Sequence, residues 1–165
     1  MEPDKKSLYI ETTIPSYATA RDSLDLLKLH RQVITRAFWR DERHRFRLCT
    51  SRAVRIECER GDPEAARRRV AFLDGIEEYP VTDEMKALAL TYQALLHIPA
   101  EAVLDCTHLA VCVLRRVDFL LSWNLAHLGE VAQEKARVYN EKNGLWTPRM
   151  VTPETISILM IKGEV

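Results

Sequence analysis

Residues 102–123 read AVLDCTHLAVCVLRRVDFLLSW, and this stretch indicates the fold more clearly than any other part of the chain. Its first part is apolar on nearly every side, which is typical of a buried helix, and we expect that helix over 102–115. A second apolar run at 118–123 has the pattern of a strand that is buried on both faces. A buried helix that leads directly into a buried strand indicates a parallel sheet covered by helices.

The same alternation extends over the whole chain. Strands are predicted at 7–11, 46–49, 79–81, 118–123 and 149–151, and helices at 23–42, 51–60, 62–73, 82–96, 102–115 and 128–143. Residues 12–15 are predicted to form a turn, and Leu27, Ile34 and Phe38 to share the buried face of the helix that follows. No repeat or flexible linker interrupts residues 1–165, which predicts one domain. The fold class that follows is an α/β sandwich with a mainly parallel sheet.

Charge and cysteine content argue against several classes of protein. The 24 basic and 24 acidic residues leave a net charge of 0, whereas a protein that coats nucleic acid needs a large positive excess. The four cysteines form no CxxC pair, which predicts reduced thiols in the cytosol. No run approaches the roughly 20 apolar residues of a membrane span, and residues 1–13 lack a secretory apolar region. We therefore expect a soluble, cytoplasmic protein without a membrane partner.

Several acidic or amide side chains are predicted to lie where a core or a strand end should be. Glu11 ends the first strand, and Asn124 follows the strand at 118–123 in the same way. Asp105 lies in the first turn of the apolar helix. Glu57 falls in the middle of the apolar arc of its own helix, which is formed by Ala53, Val54, Ile56 and Cys58. Because ligands of open α/β sheets bind beyond the carboxyl ends of the strands, these side chains could meet in one cleft.

The spacing of these acids is compatible with two interpretations. A buried, unpaired carboxylate costs several kcal/mol, so each acid needs a cation, hydrogen bonds or a proton. An oxygen-rich cluster would suit Mg²⁺ or Mn²⁺, which activate water and stabilise a phosphoryl transition state. Structural salt bridges, with Arg52 and Arg60 near Glu57, would satisfy the same acids. Spacing alone favours the structural interpretation.

Other candidate sites are weaker. A zinc site at His108, Cys106 and Cys112 would lack a fourth ligand, so His108 is predicted to be a core histidine or a partner of Asp105. His127 is predicted only to cap the loop after Asn124. The basic runs at 36–47 and 67–69 are predicted to be solvated faces, and the three tryptophans to be core or interface residues. Neither a phosphate-binding glycine loop nor a GxSxG elbow is present.

Four segments of residues 8–154 together match the pattern of a known family in order and spacing. They are Leu8-Tyr9-Ile10-Glu11-Thr12-Thr13; Ser51-x-x-Val54-x-x-Glu57 with Arg60-Gly61-Asp62-Pro63; Ile98-Pro99 with Ala102-x-x-Asp105-x-x-His108-Leu109-Ala110; and Asp118-Phe119-Leu120-Leu121-Ser122-Trp123-Asn124-x-x-His127-Leu128. This ordered set resembles the PIN-domain nucleases, in particular toxin-like members of the VapC type whose strand ends in a Trp-Asn pair.

The resemblance implies a three-layer α/β/α sandwich with a four- to five-stranded, mainly parallel sheet. It also implies a metal-dependent endoribonuclease that cleaves RNA phosphodiester bonds, the toxin of a type II toxin–antitoxin pair. Carried over by position, Glu11, Glu57 and Asp105 would bind Mg²⁺ or Mn²⁺, and Asn124 would stand where many members have a fourth acid. Thr12 and Ser51 would hydrogen-bond carboxylates or metal-bound waters. The family further implies a homodimer and an antitoxin segment laid into the cleft.

Two positions depart from the family pattern. Glu11 replaces the commoner aspartate and carries its carboxylate one methylene further out, while Asn124 removes a charge. Three acids favour one bound ion, or a second that enters only with the RNA phosphate. The same departures keep open an alternative function, a binding or regulatory module with weakened catalysis. A small-molecule enzyme that uses the same cleft is a further alternative.

Overall fold

The computed structural model describes residues 5–165, in which five parallel strands form one sheet. The strands lie in the order β3-β2-β1-β4-β5. They are Ser7–Ile10 (β1), Arg47–Ser51 (β2), Glu77–Tyr79 (β3), Phe119–Leu121 (β4) and Arg149–Val151 (β5). All four pairings are parallel, so the carboxyl ends of all five strands lie at one edge. Every residue of the central strand β1 is buried, as expected for a strand covered on both faces.

Eight α-helices of the described chain cover this sheet. They are Thr13–Thr19 (α1), Leu26–Asp41 (α2), Arg52–Cys58 (α3), Pro63–Phe72 (α4), Asp83–Leu96 (α5), Val103–Leu114 (α6), Glu130–Lys142 (α7) and Pro153–Ile161 (α8). Helices α5, α6 and α7 pack together, and α1, α2, α4 and α8 form a second group. This arrangement confirms the predicted three-layer α/β/α sandwich.

Local sequence signals predicted several helix ends correctly. The Asp62 carboxylate accepts a hydrogen bond from the backbone N–H of Ala65 and caps α4, whose first residue is Pro63. The Thr82 hydroxyl caps α5 in the same way, through Met85 N–H. These signals work because a cap and its partner are only three residues apart, so the interaction does not depend on the rest of the fold.

Two helices were not predicted. Residues 12–15 were expected to be a turn, but α1 begins at Thr13 and includes Pro15. A proline is tolerated in the first turn, since the N–H that it lacks has no partner within the helix there. Helix α8 follows β5 directly and begins with Pro153 after the Thr152 cap, the same signal that opens α4.

The predicted buried face of α2 was wrong in part. Leu27 is 60% exposed, whereas Gln32 and Thr35 are buried together with Phe38. The polar pair is buried because it is fully hydrogen-bonded: Gln32 donates to the carbonyl of Arg21, and the Thr35 hydroxyl accepts from the indole N–H of Trp123. Apolar periodicity alone cannot identify such a face.

The described residues, 5–165, include no helix that is both long and apolar enough to cross a membrane. The sequence-based expectation about a secretory region also concerned residues 1–4, which lie outside the described part of the chain.

At the opposite edge of the sheet, Asp118 joins the amino ends of β1 and β4. Its Oδ2 accepts hydrogen bonds from the N–H and the hydroxyl of Ser7, both at 2.8 Å. The backbone N–H of Asp118 donates to the Ser7 hydroxyl in return. Burial alone would raise the pKa of this carboxyl, but the bonds from Ser7 and the charge of Lys6 lower it below its ordinary value.

We expect Asp118→Asn to lower the free energy of unfolding by about 1 kcal/mol at pH 7, because charge-assisted bonds between the two strands are weakened. The carboxyl has a lowered pKa in the folded state, so its contribution is complete above 3.8, the ordinary value, and is lost as the pH falls through the folded-state pKa. Urea denaturation across this pH range measures the effect. Asp74→Asn, at an exposed carboxylate, is the control and should change nothing. An equal loss for Asp118→Asn at all pH values would contradict the prediction.

Candidate active site

Glu11 lies at the carboxyl end of β1 and is only 5% exposed. Its Oε2 accepts three hydrogen bonds: from the Thr13 N–H at 2.9 Å, the Thr13 hydroxyl at 2.6 Å and the Ser122 hydroxyl at 2.8 Å. Because Ile10 pairs with Leu121, Ser122 lies directly beside Glu11 at the same edge of the sheet. These donors account for the burial of a carboxylate, and they leave Oε1 without a hydrogen bond within the described residues.

Glu57 projects from α3, where the sequence predicted it to face inward. Its Oε1 accepts hydrogen bonds from the Thr12 hydroxyl at 2.9 Å and from His108 Nε2 at 2.7 Å. Burial by itself would raise the pKa of this carboxyl, but His108, Thr12 and the charge of Arg60 together lower it below its ordinary value. Glu57 is therefore an ionised carboxylate at neutral pH, and Oε2 accepts no hydrogen bond from the described chain.

Asp105 lies in the first turn of α6, and its side chain is 14% exposed. Its two oxygens accept from different side chains, Asn124 Nδ2 at 3.2 Å and His127 Nδ1 at 3.0 Å. Both partners belong to the segment that follows β4. His127 was predicted only to cap a loop, and the structure corrects this, because the imidazole pairs with the carboxylate.

These contacts link the predicted site residues to one another. Thr12, which bonds Glu57, is the residue after Glu11, and His108 lies three residues after Asp105 in α6. Ser122 donates to Glu11 and accepts from the backbone N–H of Asn124, whose amide donates to Asp105. The structure therefore brings together the four predicted site residues Glu11, Glu57, Asp105 and Asn124 at the carboxyl edge of the sheet.

His108 is a buried imidazole that contacts Glu57 and is affected by the charges of all three acids. Only 2% of the residue is exposed, as expected for a core histidine, but the ring bonds Glu57 rather than Asp105. Burial alone would lower the pKa of this imidazole, whereas the bond to Glu57 and the charges of the three carboxylates raise it above its ordinary value. Because an ionised carboxylate only accepts hydrogen bonds, Nε2 carries a proton.

The Tyr9 hydroxyl contacts the ring of His108, and the sequence did not identify Tyr9 as part of the site. Its hydroxyl lies 2.8 Å from His108 Nδ1 and 2.7 Å from the Ser51 hydroxyl. Ser51, at the end of β2, was predicted to hydrogen-bond a carboxylate or a metal-bound water. In the structure its hydroxyl contacts the Tyr9 hydroxyl, and it makes no cap bond to α3. Burial raises the pKa of the Tyr9 phenol well above its ordinary value, so the phenol keeps its proton. In the sequence, the apolar run of β1 marks Tyr9 only as a core residue.

The donor atoms at this edge suit a hard divalent cation in kind, since they are carboxylate and amide oxygens. Glu11 Oε1 and Glu57 Oε2 are available to such an ion. Within residues 5–165, however, no three His, Cys, Asp or Glu side chains are arranged to hold a metal ion directly. An ion at this edge would therefore retain several of its own waters, as Mg²⁺ usually does in proteins.

The remaining candidates lie elsewhere. All four cysteines are buried free thiols. Several arginines of the two basic runs form ion pairs with acidic residues, as in Arg36–Asp22, Arg47–Glu77 and Arg68–Glu64.

Ile56 was predicted to belong to the buried arc of α3, but it is 42% exposed. Its neighbours Ala53, Val54 and Cys58 are buried as predicted.

We expect Tyr9→Phe to reduce the free energy of unfolding by about 1–3 kcal/mol, because two buried polar groups, His108 and Ser51, lose their partner. Chemical denaturation at neutral pH measures the loss. Tyr139→Phe is the matched control, since the Tyr139 hydroxyl makes no hydrogen bond within the described residues, and it should cost much less. Equal stability of the Tyr9→Phe and wild-type proteins would show that this buried contact contributes nothing.

Comparisons with known proteins address the fold. No protein-family model and no curated protein sequence matches the chain. VapC20 of Mycobacterium tuberculosis, a toxin that cleaves the sarcin–ricin loop, matches with a TM-score of 0.59 and 15% identity, over 73% of this chain and 92% of that chain. VapBC2 of Rickettsia felis, bound to promoter DNA, matches with a TM-score of 0.49 and 10% identity, over 88% of this chain and 98% of that chain. The likeness to VapC20 confirms the fold expected from the sequence motifs: this chain has the PIN-domain fold of VapC-type toxins.

Proposed function

We propose that the protein is a metal-dependent endoribonuclease that cleaves RNA phosphodiester bonds, the toxin of a type II toxin–antitoxin pair. The observation that carries this proposal is the continuous set of contacts that joins Glu11, Glu57, Asp105 and Asn124 at one edge of the sheet. A fold shared with VapC20, a toxin that cleaves the sarcin–ricin loop, supports the same function.

Glu11, Glu57 and Asp105 would hold Mg²⁺ or Mn²⁺, in part through the waters that the ion retains, and the amide oxygen of Asn124 would be a fourth ligand atom. When bound, the ion supplies an acidified water and stabilises negative charge on the phosphoryl oxygens. The chain's own residues orient the ligands: Ser122 and Thr13 hold one oxygen of Glu11 and leave the other available. His108 and Thr12 do the same for Glu57.

The family resemblance extends the proposal to partners and location. We propose a homodimer, an antitoxin partner and a cytoplasmic location, the last supported by four free, buried thiols. Light scattering of the purified chain tests the dimer directly. A monomer at micromolar concentration would contradict that part of the proposal.

The primary test is cleavage of a mixed RNA pool that includes ribosomal RNA, with Mn²⁺, Mg²⁺ or EDTA. We expect metal-dependent cutting, and a rate loss of about a hundredfold or more in Asp105→Asn, because a charged ligand becomes neutral. Asp74→Asn, at an exposed carboxylate outside the site, is the matched control and should cut like the wild type. Circular dichroism checks that all three proteins are folded. Full activity of Asp105→Asn would rule out its role as a ligand.

Two observations favour the alternative of a binding or regulatory module. The described residues hold no ready-made three-ligand metal cluster, and Asn124 lacks the charge of an acid. Calorimetric titration with Mn²⁺ separates the two functions. The nuclease should show saturable binding that Asp105→Asn weakens, whereas a module without a metal site should show no binding heat and no RNA cleavage.

A further inference from the structure

A cavity of about 710 Å³ opens beside the candidate active site. It lies between α3, α6, the segment that joins β3 to α5, and the first turns of α5. Glu57 belongs both to the cavity wall and to the acidic edge of the sheet, so the cavity and the candidate active site are continuous. Its volume is within the range of about 300–1,000 Å³ that is typical of small-ligand sites, which is large enough for a nucleotide.

The lining of the cavity includes an apolar wall formed by Ile56, Val81 and Leu104. Ile56 is 42% exposed although it lies in the middle of α3, and the other two side chains are only partly buried. Apolar surface that borders a polar site is a candidate contact surface for a ligand. A nucleobase has two flat faces of suitable size, and aliphatic side chains pack against the face of any base through dispersion and burial of apolar surface.

The same cavity carries a basic rim formed by Arg52, Arg60 and Lys86, all of them exposed. Two of these basic side chains form only weak ion pairs within the protein. Arg52 lies 4.0 Å from Glu59, and Lys86 pairs with Asp83 at an exposed position, so both could exchange these carboxylates for an anionic ligand. Arg60 makes no ion pair with any described residue.

The two acids of the cavity wall are already matched by internal partners. Glu57 is bonded by His108, and Glu78 is paired with Arg55. The charges of the basic rim therefore remain available, which favours an anionic occupant over a basic one.

We propose that this cavity binds the nucleotide that neighbours the scissile phosphate of a single-stranded RNA, with its base on the apolar wall and its phosphate at the basic rim. The proposal rests on the proposed nuclease function and adds a substrate-binding subsite to it. Contacts of this kind act before and during the reaction alike, so they lower KM and leave kcat nearly unchanged. They also select which phosphate of the strand reaches the acids.

The test uses two single variants of exposed residues, Ile56→Ser in the apolar wall and Lys86→Ala in the basic rim. Leu90→Ser, an exposed leucine on α5 outside the cavity, is matched to the first, and Lys28→Ala, an exposed lysine on α2, to the second. With a short fluorescent single-stranded RNA, we expect KM to rise about tenfold in each cavity variant, with kcat within about twofold of the wild type. The two controls should behave like the wild type.

A second measurement separates base binding from a general structural effect. Once the cut site is mapped, single abasic positions are introduced on either side of it. At one position, loss of the base should raise the KM of the wild type. The same loss should raise the KM of Ile56→Ser only slightly, because the base and the side chain contribute through the same contact. Fully additive effects at every position would overturn the base-stacking part of the proposal.

The outcomes distinguish this subsite from the nuclease function itself. If the wild type cuts RNA and the cavity variants cut with unchanged KM and unchanged cut sites, the subsite is overturned, the nuclease stands, and the cavity is left to a protein segment. If the wild type does not cut with any metal, the nuclease proposal fails. Fluorescence anisotropy with the same RNA then tests the subsite separately from cleavage. Weaker RNA binding by both cavity variants than by the wild type supports the subsite, and equal binding by all three proteins, or no binding by any of them, overturns it.

Discussion

An ionised carboxylate cannot be buried in a protein without hydrogen-bond donors, and this constraint determines which residues lie at the carboxyl edge of the sheet. Glu11 is almost completely buried at the end of the central strand, where it is held by Thr13 and by Ser122 of the neighbouring strand end. Thr13 is a neighbour of Glu11 in the sequence, whereas Ser122 lies 111 residues further along the chain. Satisfying the charge therefore ties β1 to the segment after β4, and the geometry of the whole edge follows from it.

The same constraint is met twice more with different chemistry. Glu57 on α3 relies on His108 of α6, which in turn rests on Tyr9 of β1. Asp105 relies on Asn124 and His127. Each acid thus connects two or more elements, so the acids stabilise the relative position of the elements that carry them. A site built on strands and helices in this way holds its ligands more firmly than one built on loops alone.

The two sides of Glu57 have different environments, and this separates binding from chemistry. On one side the carboxylate meets His108 in the dry interior. On the other it borders an open cavity with an apolar wall and a basic rim. In the proposed nuclease, the contact with His108 would keep the Glu57 carboxylate ionised, and the cavity would position the RNA strand. Ile56, which the sequence predicted to be buried, is exposed on the second side.

The sequence by itself determined the α/β alternation, the capped ends of α4 and α5, and the placement of Glu11 and Asn124 at strand ends, because these depend on neighbours within a few residues. It also indicated that Glu57 faces inward. The tertiary structure alone decided which groups satisfy those charges, and it gave His127 a carboxylate partner that the sequence did not predict. The pairs involved are far apart along the chain, 45 residues for Thr12 and Glu57, 99 for Tyr9 and His108, and 111 for Glu11 and Ser122. No local pattern encodes such a pair, since the hydrogen bond exists only after the sheet has brought the strand ends together.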